Sequence, residues 1–340
     1  MIGMINTTWQ HLIGHEWAAA LLSSAITHER VGHAYLITGP AQVGKTTLAR
    51  TFAQALNCQA PAGQPCGQCR ACRLIAQDRH PDVRLVLPER TGRGLASLKI
   101  DQIRALQHEL NLAPYEARWR VAILREFDAA NASAANAFLK TLEEPPANVV
   151  LLLTANDADT LLPTISSRCQ TIALRPLPAG QIAAALQNRW HLPPPQAELL
   201  AHLADGRPGW GIQAAGDESL LAMRRARLDT LYALLPEKRV GRFAAADRLA
   251  KEPETLPLLL QTWLGWWRDL VLLCWGNSPT ARLTNVDQLP HLQAVAGQWT
   301  RAQAHAGLDY TGRALEQLAR NANTRLVLEN LFLNYPYQQR

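Results

Sequence analysis

Gly39-Pro40-Ala41-Gln42-Val43-Gly44-Lys45-Thr46 fills every fixed position of the pattern G-x-x-x-x-G-K-[ST]. The two glycines let the backbone wrap so that successive N–H groups converge on phosphate oxygens. Lys45 supplies a point charge for the β- and γ-phosphates, and the Thr46 hydroxyl is placed to hold Mg²⁺. Thr47 continues into a helix whose positive N-terminal end faces the anion. The motif specifies binding of a nucleoside triphosphate; hydrolysis needs further groups. A second constellation follows directly: Cys58, Cys66, Cys69 and Cys72, spaced C-x7-C-x2-C-x2-C. Two C-x2-C steps sharing Cys69 bring three thiolates within reach of one ion, and Cys58 closes a tetrahedron. Four thiolates leave no open position, so the expected metal is a structural Zn²⁺ that folds an otherwise polar loop. An iron–sulfur cluster stays open as an alternative, whereas disulfides are disfavoured because the start, MIGMINTTWQHLIG, has no export signal. Cys169 and Cys274 lie in apolar surroundings and read as buried thiols.

The elements that must position these groups form an alternating series. Apolar runs at 33–38, 120–124, 149–153 and 171–174 read as strands, and runs without polar alternation are those of parallel strands covered on both faces. Helical segments between them give an α/β domain with a parallel sheet. After Pro176 the strand signal ends. Short helices broken by Pro193-Pro194-Pro195 and by Gly206, Pro208 and Gly209 lead into a region that is helical throughout. The expected layout is a nucleotide-binding domain at 1–172 with a zinc-binding insert at 58–72, a helical lid at 173–215, and an all-helical domain at 216–340. Within that last domain Leu260, Trp263, Leu264, Trp267, Leu270, Val271 and Cys274 form one apolar helical stripe. Trp266 lies off the stripe and is expected at a subunit interface.

Composition narrows the class. The chain has 340 residues, 48% of them hydrophobic and 18% charged, which excludes a disordered tail and calls for two or three domains. The net charge of +6 is spread along the chain rather than run together, so it permits a nucleic-acid partner without arguing for one. The most apolar stretch, from Leu256, is interrupted by Gln261, Arg268 and Asp269, which argues against a membrane span. A cytoplasmic protein is expected.

The phosphate loop, the cysteine insert after its helix, the segment Asn136-Ala137-Phe138-Leu139-Lys140-Thr141-Leu142-Glu143-Glu144-Pro145-Pro146 and Ser167-Arg168-Cys169 together resemble the AAA+ subunits of the bacterial replicative clamp loader. The segment from Asn321 to Leu331 resembles the end of the collar domain in a non-motor subunit of that loader. The resemblance covers nearly the whole chain. It implies a P-loop AAA+ domain, a lid and a collar that oligomerises. It implies ATP as the nucleotide, tau/gamma and delta subunits as ring partners, indirect contact with the sliding clamp, and primer-template DNA met through the assembled complex. It also implies that Arg168 reaches into a neighbouring subunit's nucleotide as an arginine finger supplied in trans.

Two departures from the motor pattern set the functional expectation. Hydrolysing relatives end the 120–124 strand with Asp-Glu, the first ordering Mg²⁺ and the second polarising water; here the pair is Arg125-Glu126. Glu126 is thus a remnant, and Asp128, past the strand end, is not expected to replace the missing carboxylate. In the lid, the position of a sensor arginine is occupied by Gly209. Thr154 and Asn156, after the third strand, are the expected γ-phosphate sensors. The expected function is a stator that binds ATP weakly or without turnover, donates Arg168 to an ATPase neighbour, and helps load the sliding clamp during DNA replication. The competing expectations are a hydrolysing tau/gamma-type motor and, from another class, a zinc-dependent nucleic-acid-binding module. Against the module, the 58–72 segment carries only Arg70 as a basic residue and no aromatic.

Overall fold

The computed structural model describes residues 8–89, 96–275, 282–320 and 322–337. Asn321, the first residue of the C-terminal motif, lies outside them. The chain runs α1 (Glu16–Thr27), β1 (Ala34–Thr38), α2 (Lys45–Asn57), α3 (Arg70–Ala76), β2 (Val83–Val86), α4 (Ile100–Leu110), β3 (Arg120–Leu124) and α5 (Ala132–Glu143). It continues through β4 (Val149–Ala155), α6 (Pro163–Ser166), β5 (Gln170–Ala173), α7 (Ala179–Trp190), α8 (Pro194–Leu203) and α9 (Pro208–Gly216). The remainder is helical: α10 (Ser219–Leu234), α11 (Arg239–Leu249), α12 (Leu256–Cys274), α13 (Leu289–Ala296), α14 (Arg301–Ala319) and α15 (Thr324–Asn334).

Five strands form one parallel sheet in the order β2-β3-β4-β1-β5. Alternate residues serve opposite layers. Tyr35 and Ile37, Val121 and Ile123, Val150 and Leu152 pack with α1 and α2; Leu36, Ala122 and Leu124, Leu151 and Leu153 pack with α4 and α5. Both faces are therefore apolar, and β1 and β4 are buried at every residue, which is why these strands read as unbroken apolar runs. β2 escapes that reading: it is an edge strand whose Arg84 faces outward, so only part of its surface is covered. Parallel strands place their C-terminal ends along one edge of the sheet, and the phosphate loop leaves β1 there.

The chain divides into two compact units, residues 1–185 with 206–210, and residues 186–205 with 211–340. In the second, α12 is the central element, packed by α10, α13 and α14. Its tryptophans correct one expectation. Trp266 is fully buried with Trp263 and Trp267, meeting Trp267 edge-on at 5.0 Å and Tyr232 at 5.9 Å. Neighbours on several sides of α12 bury a wider arc than the narrow stripe implies, so Trp266 is core; Trp275 is the exposed member of the group. Gly307 of α14 makes this packing possible, because a Cβ there would lie 2.5 Å from the Trp267 ring. Among the described residues no helix is long and apolar enough to cross a membrane.

Candidate functional site

The phosphate loop takes a conformation only its own residues allow. Gly39 sits at φ 139° and Gly44 at φ 116°, in the left-handed half of backbone space. A Cβ on Gly39 would lie 2.4 Å from the Leu174 carbonyl oxygen, so the loop can approach the chain just after β5 only without a side chain. Gln42 also holds a positive φ, 62°. α2 begins at Lys45, two residues before the start read from sequence, so the N–H groups of Lys45, Thr46 and Thr47 belong to a first turn that has no carbonyl partners within the helix. Lys45 is buried and its ammonium donates to the carbonyl of Gly39, to that of Pro40 at 3.0 Å and to Asn156 Oδ1 at 3.3 Å. Burial lowers its pKa, and the nearby carboxylates of Asp128 and then Glu126 oppose that shift. Val43 is buried, and its carbonyl lies 3.2 Å from His15 Nε2; Ala41 and Gln42 are exposed.

Just past the end of β3, Arg125 and Glu126 form an ion pair. Arg125 Nη2 lies 3.0 Å from Glu126 Oε1, and Glu126 adopts φ 51° with an exposed side chain. The Glu126 N–H donates to Thr154 Oγ1 at 3.0 Å. Thr154 lies inside β4, which runs two residues beyond its sequence-read end, and it is 1% exposed. Its hydroxyl therefore ties the turn after β3 to β4. Asn156 is the residue brought to Lys45. Its Nδ2 donates to Asp128 Oδ2 at 2.7 Å, and the second Asp128 oxygen is buried without a hydrogen-bond partner. Asp128 is the strongest carboxylate influence on Lys45, closer in effect than Glu126, because the 3₁₀ turn Phe127–Ala129 folds it back over the strand ends. Sequence order alone hid this proximity.

Gly209 also meets the loop. Its N–H donates to the Gln42 carbonyl at 2.9 Å, and a Cβ at 209 would stand 2.8 Å from that oxygen. The backbone occupies the place from which a side chain would have to project. Beside the loop, a cleft of about 430 Å³ is lined by Gly14, His15, Trp17, Ala173, Arg175, Pro176 and Leu177. None of these residues stood out in the sequence as functional, and they come from two distant stretches of the chain.

The four cysteines come together. Their Sγ atoms all lie within 4.8 Å of one another, near the roughly 3.8 Å separation that tetrahedral Zn–S bonds of about 2.3 Å require. Backbone N–H groups converge on them: Ala60 and Cys66 on Cys58 Sγ at 3.3 Å, Cys69 on Cys66 Sγ at 3.3 Å and Cys72 on Cys69 Sγ at 3.5 Å. The N–H groups of Cys69 and Gln68 pull the Cys66 thiol down to about 6, while burial pushes Cys58 and Cys72 up. These donors suit thiolates, and the set fits a metal ion. Cys169 stands apart, its thiol pushed up to about 12 by burial alone.

Arg168 follows α6, with contacts to Thr164, Ser167 and Glu143, none of which belongs to the phosphate loop. The C-terminal motif forms α15, capped by Asn323 and burying Val327, Leu328 and Leu331.

A family model described as DNA polymerase III, delta subunit, matches residues 14–178. The delta-prime subunit of Pseudomonas aeruginosa is 32% identical over 321 residues, covering 92% of this chain and 94% of that one. That of Bacillus subtilis is 31% identical over 317 residues, covering 92% and 93%. The tau subunit of Escherichia coli is 35% identical over 206 residues, which are 58% of this chain and 31% of tau. Likeness to tau is thus partial, while likeness to delta-prime runs along nearly the full length of both chains. On that ground the protein belongs to the delta-prime family of clamp-loader subunits of DNA polymerase III.

Proposed function

We propose that this chain is the stator of a clamp loader, a subunit that binds ATP without turning it over and lends Arg168 to an ATPase neighbour. The observation that carries the reading is a complete phosphate cradle beside a strand end where Arg125 and Glu126 are paired with each other. Gly39 to Thr47 would hold the phosphates, Thr46 the Mg²⁺, and Asn156 the γ-phosphate edge; the cleft from Gly14 to Leu177 suits a base. Bound Mg²⁺ would supply charge neutralisation at the phosphates. The carboxylate that orders it in motors is replaced by a guanidinium, and Gly209 stands where a sensor arginine would be. Loss of such groups costs orders of magnitude in rate while binding survives.

In this reading residues 1–172 bind nucleotide, 173–215 form the lid and 216–340 the collar. Cys58, Cys66, Cys69 and Cys72 hold a structural Zn²⁺. Tau/gamma and delta subunits complete the ring, which meets the clamp and primer-template DNA in the cytoplasm. Purified with MgATP, the chain should retain nucleotide and one metal per chain with negligible turnover. A kcat of about 1 s⁻¹ that disappears in Lys45→Ala would overturn the stator reading. One observation favours the motor alternative: Asp128 supplies a carboxylate near Lys45. If the chain were a motor, Asp128→Asn would abolish its turnover and Arg125→Asp would not raise it.

A further inference from the structure

The Arg168 side chain makes three contacts, the longest of them to Ser167 Oγ at 3.4 Å. Nη1 donates to the Thr164 carbonyl at 2.9 Å, and Nη2 lies 2.9 Å from Glu143 Oε1. Local sequence arranges both. Thr164 belongs to the four-residue helix α6, whose last carbonyls have no partner within the helix, so a donor from Arg168 satisfies one of them. Ile165 is fully buried, which fixes the backbone just ahead of Arg168. On the other side, Phe138 and Leu142 anchor α5, and Pro145-Pro146 prevents the helix from continuing. Glu143 is consequently the last helical residue, carried to the surface beside a buried Leu142. The Arg168 side chain stays 37% exposed, and its Nε–H and one Nη2–H take no part in these contacts.

We propose that Glu143 is the positioning residue for Arg168, fixing the guanidinium before it meets a neighbouring subunit's nucleotide. This rests on the reading of Arg168 as a finger in trans. A free arginine samples many rotamers, and each must be given up when it engages a phosphoryl group. Glu143 and the Thr164 carbonyl remove most of that freedom in advance while leaving donors for the incoming oxygens. An exposed pair contributes little to folding, so its use lies in orientation rather than stability.

The test uses a reconstituted ring in which only the motor site abutting this chain can turn over. Arg168→Ala should lower kcat at that site by about 10³-fold. Glu143→Ala should lower it about tenfold, with KM for ATP unchanged because the finger acts in the transition state. Glu143→Gln keeps an acceptor oxygen but not the charge, and should lose about threefold. Assembly by sedimentation and the Tm of the isolated chain should match the parent. In the Arg168→Ala background, Glu143→Ala should cost nothing further. The proposal is overturned if Glu143→Ala costs as much without Arg168 as with it, or leaves kcat unchanged or higher while Arg168→Ala silences the site. If Arg168→Ala itself has no effect, the finger reading fails and this proposal with it.

Discussion

Gly39 concentrates the demands of the phosphate loop in one residue. Its φ of 139° is costly for any side-chain-bearing residue, and the Leu174 carbonyl oxygen fills the space a methyl would need. Gly39→Ala must therefore move backbone on the loop or on the chain after β5. Strain at such positions is about 1–3 kcal/mol, which translates to roughly a tenfold or greater loss in nucleotide affinity. Titration calorimetry with ATP should register that loss with little change in Tm; wild-type affinity would mean that the loop does not engage phosphate in this conformation. Gly209 makes the corresponding point for the lid. A side chain there would crowd the Gln42 carbonyl, so under the proposed reading a sensor arginine at 209 would need further changes in the loop.

Among the elements, β2 and β3 are joined by a buried acidic staple. Asp82, just ahead of β2, is 0% exposed. Its carboxylate accepts from the N–H groups of Tyr115, Glu116 and Ala117 at 2.7, 2.9 and 3.0 Å and from Arg120 Nη2 at 3.0 Å. Burial alone would raise its pKa, but those donors outweigh it and hold the carboxyl below the usual 3.8. A depressed folded pKa contributes stability that is present above the unfolded value and lost as pH falls through the folded one. Asp82→Ala leaves Arg120 half of a broken buried pair, and should cost about 3–5 kcal/mol at neutral pH. Urea unfolding at pH 7 and again below pH 4 should reveal a gap between parent and variant that narrows in acid. A gap independent of pH would mean that cavity formation, not charge, explains the loss.

For the molecule as a whole, the cysteine insert decides whether its neighbourhood in the first unit stays folded. It is tied to that unit by the Trp9 Nε1 bond to the Gly63 carbonyl at 2.6 Å, by Gln54 Nε2 to the Cys72 carbonyl at 2.8 Å, and by the Arg70–Glu116 pair. Four thiolates without a cation would repel one another across less than 5 Å, as their separations of at most 4.8 Å imply. Chelation or Cys72→Ser should therefore remove one bound metal per chain and lower Tm by several degrees. A chain that is metal-free by mass spectrometry as purified, with a Tm indifferent to added zinc, would exclude the metal.

What could be read from residue order is what lies close along the chain. The phosphate loop needs eight consecutive residues, the cysteine set fifteen, and the buried strands announce themselves because both their faces are covered. Set against the family resemblance, Arg125 was equally legible as a departure, because its place is counted from the end of the 120–124 run. Folding alone brought Lys45 to Asn156, 111 positions away, and turned Asp128 back toward both. Packing on several sides of α12 made Trp266 core, and the edge position of β2 hid a strand that carries Arg84 outward. The division has a physical cause: local spacing is set by backbone geometry and can be counted. Which distant side chains share a pocket depends on how helices seat on the sheet and on one another, a sum of many small contacts that no single stretch of sequence contains.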